Sequence, residues 1–483
     1  MNVSHKFLGA ALAAALLFPA AWASAEFKVG FAKVDVTPQA PVPMWGYGAR
    51  HDLLSQGTRD PLYAKALVIE SGGEKLALIG LDLGRSPGDP EYGRICEAVK
   101  AQAGVAHVMM SGSHTHHGPV LELKDEPGKG QGKFDAAVAY RSELEKKLIA
   151  VIVEAAGKTQ LATVGWSSKE VDMNRNRHAK VEPKPRDPEL SVIRFNSTAG
   201  KPLAVLVNFS AHPTMLDGSD LRFSAEYPGV MMNTVEAALG TNCFFMQGAA
   251  GDMSCNPAAE DNLPDNDPSL AAEKLPKEQR EQIMALRKVS EEDALKAQQN
   301  MVRDDAKMVN FGTRLGKEVI ALAESTETKA PAKESIEGFY KNFEFKSRVN
   351  FKNPAIQAMF RGAFFPELAD ASVDDVADNI IRTRLSVVLL NDELAMVGGS
   401  GEFFCNHSAR IKERSGAAKT LFFGYCNGHN MYFPTIEAAS QGGYGADPTV
   451  SWVSLGAGEE MMNEALVQLF VFLDKLKLEP EGA

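Results

Sequence analysis

Long apolar runs rich in β-branched residues recur along the chain, and they restrict the fold more than any other feature of the sequence. Examples are 64–70 (AKALVIE), 202–210 (PLAVLVNFS) and 384–391 (RLSVVLLN). A strand that is apolar at every position has both faces buried, whereas a strand with one solvated face alternates apolar and polar residues. Stretches with helical periodicity separate these runs. The sequence therefore predicts an α/β fold of mixed, mostly buried β-sheets flanked by helices.

The individual elements follow from the same patterns and from the turn residues between them. The predicted strands are 27–36, 64–70, 75–83, 106–111, 189–195, 202–210, 242–247, 338–349, 384–391 and 393–399. The predicted helices are 89–103, 134–156, 226–239, 307–325 and 458–476. No sequence repeat is evident.

The 483-residue chain has a globular composition, with 45% hydrophobic and 23% charged residues. Because no Pro/Gly-rich boundary divides residues 26–483, we expect one domain. Within it, 258–305 is charged and contains prolines before a helical stretch, which indicates an insertion over one face. This insertion is either a lid or a solvated helical excursion, and the second is the more common origin of such a charge run. Residues 325–336 have the composition of an exposed loop.

The first 25 residues have the pattern of a secretory signal peptide. Lys6 precedes an apolar run over 7–21, and 23–25 (ASA) supplies the small residues of a cleavage site. A retained membrane anchor is the alternative, but the run is shorter than the roughly 20 residues that span a bilayer. We expect a mature chain that starts at Glu26 and is exported, either to the periplasm or out of the cell.

Charge and cysteine content narrow the class of protein. The formal net charge of −11 argues against nucleic acid as a partner. An exported chain can form disulfides, but five cysteines leave at least one thiol unpaired within a monomer. No C-x-x-C spacing occurs, which argues against a thiolate zinc site.

The stretch MMSGSHTHHGPV (109–120) places three histidines in four positions at the end of a predicted strand. In an extended chain, alternate residues point to the same side, so His114 and His116 would converge. Neutral imidazole is the commonest metal ligand, and two such rings make half of a metal site. Histidines that are merely exposed or hydrogen-bonded are the alternative.

Two further polar residues follow predicted strands. His212 in VNFSAHPTML comes after a strand and before a proline, although a structural histidine is the default for a lone position. Ser254 in MQGAAGDMSCNP could act as a nucleophile, as a donor to an oxyanion or as a cap for the next turn. The segment lacks the G-x-S-x-G pattern, so a hydrolase with a Ser-His-Asp triad on an α/β-hydrolase fold is not supported.

The last two stretches contain a carboxylate and two tyrosines. Glu402 in GGSGEFF could complete a metal site, or it could be an acidic residue in the first turn of a helix. Tyr432 and Tyr444 lie twelve residues apart in the loop-like stretch 422–445. A tyrosine, whose pKa is near 10, is a poor ligand unless a dication lowers that pKa.

These five stretches, in this order, resemble the catalytic domain of the neutral (non-lysosomal) ceramidase family. Four shorter pieces add to the resemblance, which covers most of residues 27–475: VDVTP (34–38), MWGYG (44–48), RDPLYAKALVI (59–69) and LIGLDLG (78–84). The combination is specific, although each motif alone is not. The resemblance implies a neutral-ceramidase-like fold and a zinc-dependent amidohydrolase.

Matching the family motifs residue by residue implies one zinc ion per chain. The ligands would be His114, His212, Glu402 and Tyr432. His116 would act as an acid or base beside the metal, and His117 stands where the family has a serine.

Three more family residues have counterparts. The functional serine corresponds to Ser254, and the second tyrosine corresponds to Tyr444. The family arginine falls in MNRNRH (173–178), where the motif is doubled, so that Arg175 and Arg177 both match and Arg175 is preferred.

The sequence also departs from the family pattern. Two alanines precede Gly251 and Cys255 precedes Asn256, where ceramidases have Asn and Pro. The family's C-terminal immunoglobulin-like domain has no counterpart, and the insertion at 258–305 is not part of the pattern. These departures leave the ligand set intact, but they leave open whether ceramide itself is the substrate.

The resemblance implies cleavage of the amide of an N-acyl sphingoid lipid, ceramide to sphingosine plus fatty acid, by zinc-activated water. The alternative is a metal-dependent amidase or esterase of the same fold with a different substrate. A catalytically silent binding protein is a third hypothesis, which the retained ligands disfavour. Whether Ser254 attacks or orients stays open, as does the oligomeric state. The expected partner is a lipid or other N-acyl small molecule, and contact with a membrane surface is a further expectation.

Overall fold

The computed structural model of the protein describes residues 26–478. The predicted signal peptide over residues 1–25 lies outside the described residues, so the predictions of cleavage and export stay predictions. Within the described range, no helix combines the length and the apolar character that crossing a bilayer requires.

The secondary structure of the described residues alternates strands and helices along the chain. The strands are β1 (Lys28–Asp35), β2 (Tyr63–Ser71), β3 (Glu74–Leu81), β4 (His107–Gly112), β5 (Lys124–Pro127), β6 (Gly130–Gln131), β7 (Gln160–Glu170), β8 (Asn174–Asn176), β9 (Glu189–Ser197), β10 (Pro202–Phe209), β11 (Asn242–Gln247), β12 (Met253–Cys255), β13 (Ile336–Lys346), β14 (Ile380–Leu390), β15 (Leu394–Gly399), β16 (Glu402–Phe403), β17 (Lys419–Phe423) and β18 (Tyr432–Phe433). The helices are α1 (Glu91–Ala103), α2 (Asp135–Gly157), α3 (Glu226–Leu239), α4 (Lys277–Arg287), α5 (Glu291–Ser325), α6 (Pro354–Ala363), α7 (Pro366–Asp374), α8 (Cys405–Arg414), α9 (Ile436–Gln441) and α10 (Ala457–Phe472).

Two large mixed sheets form the centre of the molecule. The first has eight strands in the order β11-β10-β9-β7-β1-β2-β3-β4, and the second has four in the order β13-β14-β15-β17. In the first sheet β3 and β4 run parallel, as do β10 and β11, while β1, β2 and β3 are antiparallel neighbours. The sheets are therefore mixed, as the sequence predicts.

The two sheets pack face to face, and helices cover their outer faces. The core between them joins Leu78 and Met109 of the first sheet to Val388 and Met396 of the second. Helices α1, α2, α3 and α5 cover the outer face of the first sheet, and α8 and α10 cover that of the second. Full burial of one leucine, valine or methionine side chain stabilises the folded state by roughly 1.5–3 kcal/mol. The prediction of mostly buried sheets flanked by helices is confirmed.

The predicted helix over 307–325 is wrong at its start. Helix α5 begins at Glu291, because the Ser290 side chain accepts a hydrogen bond from the backbone N–H of Asp293 and acidic residues occupy the first turn. The predicted insertion at 258–305 is helical in its second half, and its last helix is continuous with the one predicted over 307–325. Its second half is α4 and the first turns of α5, and α5 continues into the helix that packs on α3 and the first sheet.

All five cysteines are free thiols. Four of them are buried and Cys96 is half-buried. The expectation that at least one thiol is unpaired is therefore confirmed, and all five are unpaired.

Candidate metal centre

Histidines from distant parts of the chain meet Glu402 in the interior of the molecule. The Nε2 atoms of His114 and His212 are 3.1 Å apart, and the Oε2 atom of Glu402 lies 3.3 Å from the first and 3.1 Å from the second. His116 Nε2 is 3.4 Å from His114 Nε2, and His429 Nε2 is 3.2 Å from the Oε1 atom of Glu402. Two overlapping groups of three, His114–His116–His212 and His114–Glu402–His429, have the spacing to hold a metal ion.

His114 reaches the cluster through an unusual backbone conformation. Strand β4 ends at Gly112, and His114 has φ of 68°, in the left-handed region. The expectation of an extended chain, with His114 and His116 on one face by alternation, is therefore wrong. The two rings still converge, because the left-handed residue redirects the chain and the backbone N–H of His114 donates to the carbonyl of Leu83.

His212 lies just beyond β10, where the chain bridges to β12. Its backbone N–H donates to the carbonyl of Met253, and its Nδ1 lies 2.5 Å from the carbonyl oxygen of Ala250. Both contacts fix the ring so that Nε2 points at His114. The lone histidine of the sequence motif is thus brought into the cluster.

Glu402 and Tyr432 are neighbours because of a very short parallel pair. Strands β16 and β18 pair with Glu402 opposite Tyr432. A β-carbon on Gly251 would lie 2.4 Å from the carbonyl oxygen of Glu402, so only glycine allows this segment to pack against β16. The glycine-rich turn after β11 therefore positions the carboxylate.

Burial and charge set the protonation of the cluster. Burial alone would raise the pKa of Glu402, but contacts with His114, His212 and His429 hold it well below its usual range. Burial, followed by the positive charge of Arg177, lowers the pKa of His212 to about 3. An ionised carboxylate beside the neutral imidazole of His212 is the state that binds a cation.

The hydrogen bonds of the rings show that the described residues fit a metal ion. Nδ1 of His114 lies 2.9 Å from the carbonyl oxygen of Gly84, and Nδ1 of His212 contacts that of Ala250. Each Nδ1–H donates to a carbonyl, which leaves the Nε2 of a neutral ring with a lone pair. Two such lone pairs 3.1 Å apart repel each other unless a proton or a metal ion lies between them, and the guanidinium of Arg177 also contacts Nε2 of His212. Together with Glu402, they form a nitrogen and oxygen donor set for a divalent ion.

His116 lies at the edge of the cluster against two aromatic rings. Its ring centroid is 5.3 Å from that of Trp45 and 4.9 Å from that of Tyr47. A β-carbon on Gly46 would lie 2.4 Å from the His116 ring, so the MWGYG turn needs its glycine there. Burial, and then the neighbouring His114 and His212, lower the pKa of His116 well below the usual range, so the ring is neutral. A neutral imidazole here can accept a proton and return it.

Arg177, rather than the preferred Arg175, is the arginine whose side chain contacts the cluster. One guanidinium nitrogen of Arg177 lies 2.9 Å from Nε2 of His212 and 3.1 Å from the hydroxyl of Tyr432. Arg175 lies in the middle of β8, opposite Ser254 of β12, and both arginines are exposed residues. Arg177 follows the end of that strand, where the chain is free to turn the side chain toward the histidines.

The two tyrosines lie side by side. Tyr432 is buried, while Tyr444 is 66% exposed, and their ring centroids are 5.5 Å apart. Tyr432 is linked to the cluster through Arg177, whose nitrogen contacts both the Tyr432 hydroxyl and His212.

Ser254 lies in β12, directly beside the backbone of His212. It is the central residue of β12, between the buried Met253 and Cys255, and its backbone bridges to His212. Ser254 is not among the described residues that line the cavity over the cluster. The alternation of the strand buries its two neighbours and turns Ser254 to the Arg175 side.

Three contributors to the centre were not singled out from the sequence. His429, in the CNGHNMY stretch, contacts Glu402, and Tyr425 stacks on His114 with ring centroids 4.0 Å apart. Trp45 donates from Nε1 to Glu122, 3.0 Å away. His429 could have been found from the sequence as a further histidine inside the last motif, three residues before Tyr432.

A cavity of about 630 Å³ lies over the centre. Its lining includes five residues of the centre: His116, Glu402, His429, Tyr432 and Tyr444. Of the described lining residues, none comes from 258–305, so the structure does not place the insertion as a lid over this cavity.

Solved structures of ceramidases share this fold. The crystal structure of neutral ceramidase from Pseudomonas aeruginosa aligns with a TM-score of 0.68 at 18% identity, over 95% of this chain and 76% of that chain. A ceramidase complexed with C2 aligns with a TM-score of 0.65 at 16% identity, over 95% of this chain and 77% of that chain. No family model and no curated protein matches the sequence. The chain has a neutral-ceramidase-like fold, as the motifs predict.

Proposed function

We propose that the protein is a zinc-dependent amidohydrolase that cleaves the amide bond of an N-acyl lipid, with ceramide as the first compound to test. One observation carries the proposal: His114, His212 and Glu402 meet within 3.3 Å of one another, and Glu402 also lines a cavity of about 630 Å³. The ceramidase-like fold supports the choice of an amide substrate.

His114, His212 and Glu402 would hold the ion, with the buried Tyr432 as the fourth ligand. Three or four nitrogen and oxygen ligands suit Zn²⁺, and a catalytic zinc site keeps one position open. Bound zinc acts as a Lewis acid that polarises a carbonyl and lowers the pKa of water toward about 7.

The surrounding side chains supply the rest of the chemistry. His116, neutral and at the cavity wall, takes a proton from the attacking water and passes it to the leaving nitrogen. The hydroxyl of Tyr444, which lines the cavity, and the guanidinium of Arg177, which contacts His212, would be the donors that stabilise the developing oxyanion, and one such donor typically contributes about 3–4 kcal/mol.

Water rather than Ser254 is the nucleophile in this proposal. Ser254 is held in β12 between the buried Met253 and Cys255, and it pairs with Arg175 rather than with the arginine that contacts His212, so we assign it a supporting role instead of attack. Its role would be to help hold the segment that supports His212, since the two backbones form a bridge.

A second candidate is an amidase or esterase of the same fold with a substrate other than ceramide. The lining of the cavity favours keeping it, because charged residues such as Asp89, Glu344 and Arg382 share the cavity with phenylalanines. A site for two hydrocarbon chains would be expected to be more uniformly apolar.

Metal content and ceramide hydrolysis, measured on the same preparations, test the proposal. The wild type should contain about one zinc per chain and release fatty acid from ceramide. His212→Ala should lose both. His107→Gln is the matched control, because His107 begins the strand whose far end leads to His114, and it should keep both. A fully active metal-free preparation, or a His212→Ala variant that retains its zinc and its turnover, would refute the proposal.

A further inference from the structure

The cavity over the metal centre has walls of two different chemistries. Its volume of about 630 Å³ is within the range of sites that bury one drug-sized ligand. Since the reacting amide would lie at the centre, the two parts of the substrate that flank the amide must contact these walls. The inference below rests on the proposed amidohydrolase function and identifies its substrate class.

One wall is aromatic and comes from the hairpin of α6 and α7. Phe360, Phe364, Phe365 and Leu368 line the cavity from this hairpin. Phe360 is buried and packs on Trp452, another lining residue, with ring centroids 5.5 Å apart.

The hairpin is connected to the turn that holds His116. A β-carbon on Gly48 would lie 3.0 Å from the carbonyl oxygen of Ala363 and 3.9 Å from Phe364. The aromatic wall therefore begins beside the MWGYG turn, close to the candidate proton carrier, and offers a surface for one hydrocarbon chain.

Another wall is polar and comes from paired residues of β13 and β14. Arg384 donates from Nε to Asn342 at 2.9 Å, and Arg382 donates from Nε to Glu344 at 3.1 Å, each across a register pair. All four residues line the cavity.

Arg384 is held rigidly in this wall. Its side chain is 13% exposed, forms an ion pair with Asp89 at 2.5 Å, and lies over the ring of Tyr92 with the guanidinium carbon 4.2 Å from the centroid. Its backbone N–H donates to the Ser400 hydroxyl, which also contacts Asn430, the neighbour of His429. The polar wall thus reaches down to the metal centre.

Ceramide carries a long hydrocarbon chain on each side of its amide. Covering the Arg382–Glu344 ion pair and the Arg384–Asn342 hydrogen bond with hydrocarbon would remove these groups from water without replacing the hydrogen bonds they make there, which is unfavourable. We propose that the substrate is an N-acyl amine with a single hydrocarbon chain, on the carbonyl side, and a small polar head on nitrogen, of the amino alcohol or amino acid type. The chain lies on the aromatic wall and the head lies on the polar wall.

Binding to the full-length protein tests this directly, without turnover. The probes are N-dodecyl ureas, which resist hydrolysis, carrying either a hydroxyethyl, a carboxymethyl or a second dodecyl group. Trp45 and Trp452 line the cavity, so tryptophan fluorescence reports binding. At least one polar-headed urea should bind about tenfold or more tightly than the didodecyl urea.

Two pairs of variants assign the walls. Arg384→Met should weaken polar-headed ureas about tenfold and leave the didodecyl urea unchanged, whereas Arg361→Met, at an ion pair on α6 that is not in the lining, should change neither. Phe364→Ser should weaken every urea, whereas Met359→Ser, on the exposed side of α6, should weaken none.

The outcomes separate this inference from the proposed function. Equal or tighter binding of the didodecyl urea, or no binding of any urea, overturns the inference. If the ureas bind with the expected preference but the corresponding amides and ceramide are not hydrolysed, the substrate class stands and the hydrolase proposal fails. If ceramide is hydrolysed in preference to single-chain amides, the hydrolase proposal stands and the substrate class fails.

Discussion

His114 has a φ of 68°, a conformation that few residues other than glycine adopt. Backbone strain of this kind costs on the order of 1–3 kcal/mol and persists where the surroundings enforce it. Here the carbonyls of Leu83 and Gly84 enforce it, by accepting the backbone N–H and the Nδ1–H of His114. The strained residue is the one that brings two imidazoles together, so strain and site coincide at a single position.

Arg177 contacts His212, whereas Arg175, two residues away in sequence, pairs with Ser254. The two arginines therefore give a matched pair of variants. Arg177→Met should lower kcat by roughly 100-fold or more, because it removes a donor for the oxyanion. It should also bind zinc more tightly, because it removes a positive charge that lies 2.9 Å from His212. Arg175→Met should change neither quantity by more than a few-fold. Kinetics and competition with a chelator measure the two effects; equal behaviour of the two variants would contradict the assignment.

Asp82 predicts a pH dependence of stability. It is 4% exposed, accepts a hydrogen bond from the backbone N–H of Tyr63, and burial raises its pKa to about 7. Because the folded pKa is above the unfolded one, the native state holds an extra proton, and the stability that this supplies is lost as pH rises from about 4 to about 7.

Asp82→Asn keeps the acceptor for Tyr63 but does not titrate. The free energy of unfolding of the wild type should therefore fall relative to that of the variant between pH 4 and 8, by at most on the order of 4 kcal/mol. Calorimetry at pH 5 and pH 8 measures this difference. A constant difference between the two proteins would show that Asp82 is ionised in both states.

At the scale of elements, apolar runs were enough to predict the buried strands. Strands β2, β3, β10 and β11 lie within two residues of their predicted bounds, because burial on both faces leaves a continuous apolar run. Strand β7 was missed because only Ala162, Val164 and Gly165 of QLATVGWSSKE are buried, so the segment lacks such a run. Helices α6 and α7 were missed because they are short, although each has a proline in its first turn, a recognisable start signal.

The candidate ligands could be predicted from motifs, but their assembly could not. His114 and His212 follow β4 and β10, which stand near opposite ends of the strand order of the first sheet. They approach because the sheet curls until Gly80 of β3 lies against the backbone of Phe245 in β11, a closure that no strand pattern reveals. Glu402 and Tyr432 meet through a two-residue pair, which no periodicity reveals. The choice between Arg175 and Arg177 depends on where β8 ends, and a boundary of one residue lies below the resolution of sequence patterns.

At the scale of the whole molecule, the centre joins the two sheets. His114 and His212 follow β4 and β10 of the first sheet, while Glu402 follows β15 of the second. An ion bound by all three binds the native state and not the unfolded chain, so it should stabilise the fold by about 2.7 kcal/mol at a hundredfold excess over its Kd.

Removal of the metal should therefore lower stability as well as activity. EDTA should lower the Tm of the wild type by a few degrees, and added zinc should restore it. His212→Ala should already have the lower Tm and should not respond to EDTA, whereas His107→Gln should respond as the wild type does. Differential scanning fluorimetry measures all three. If EDTA lowered the Tm of His212→Ala as much as that of the wild type, the metal ion that EDTA removes would not be bound by His212 and would lie elsewhere.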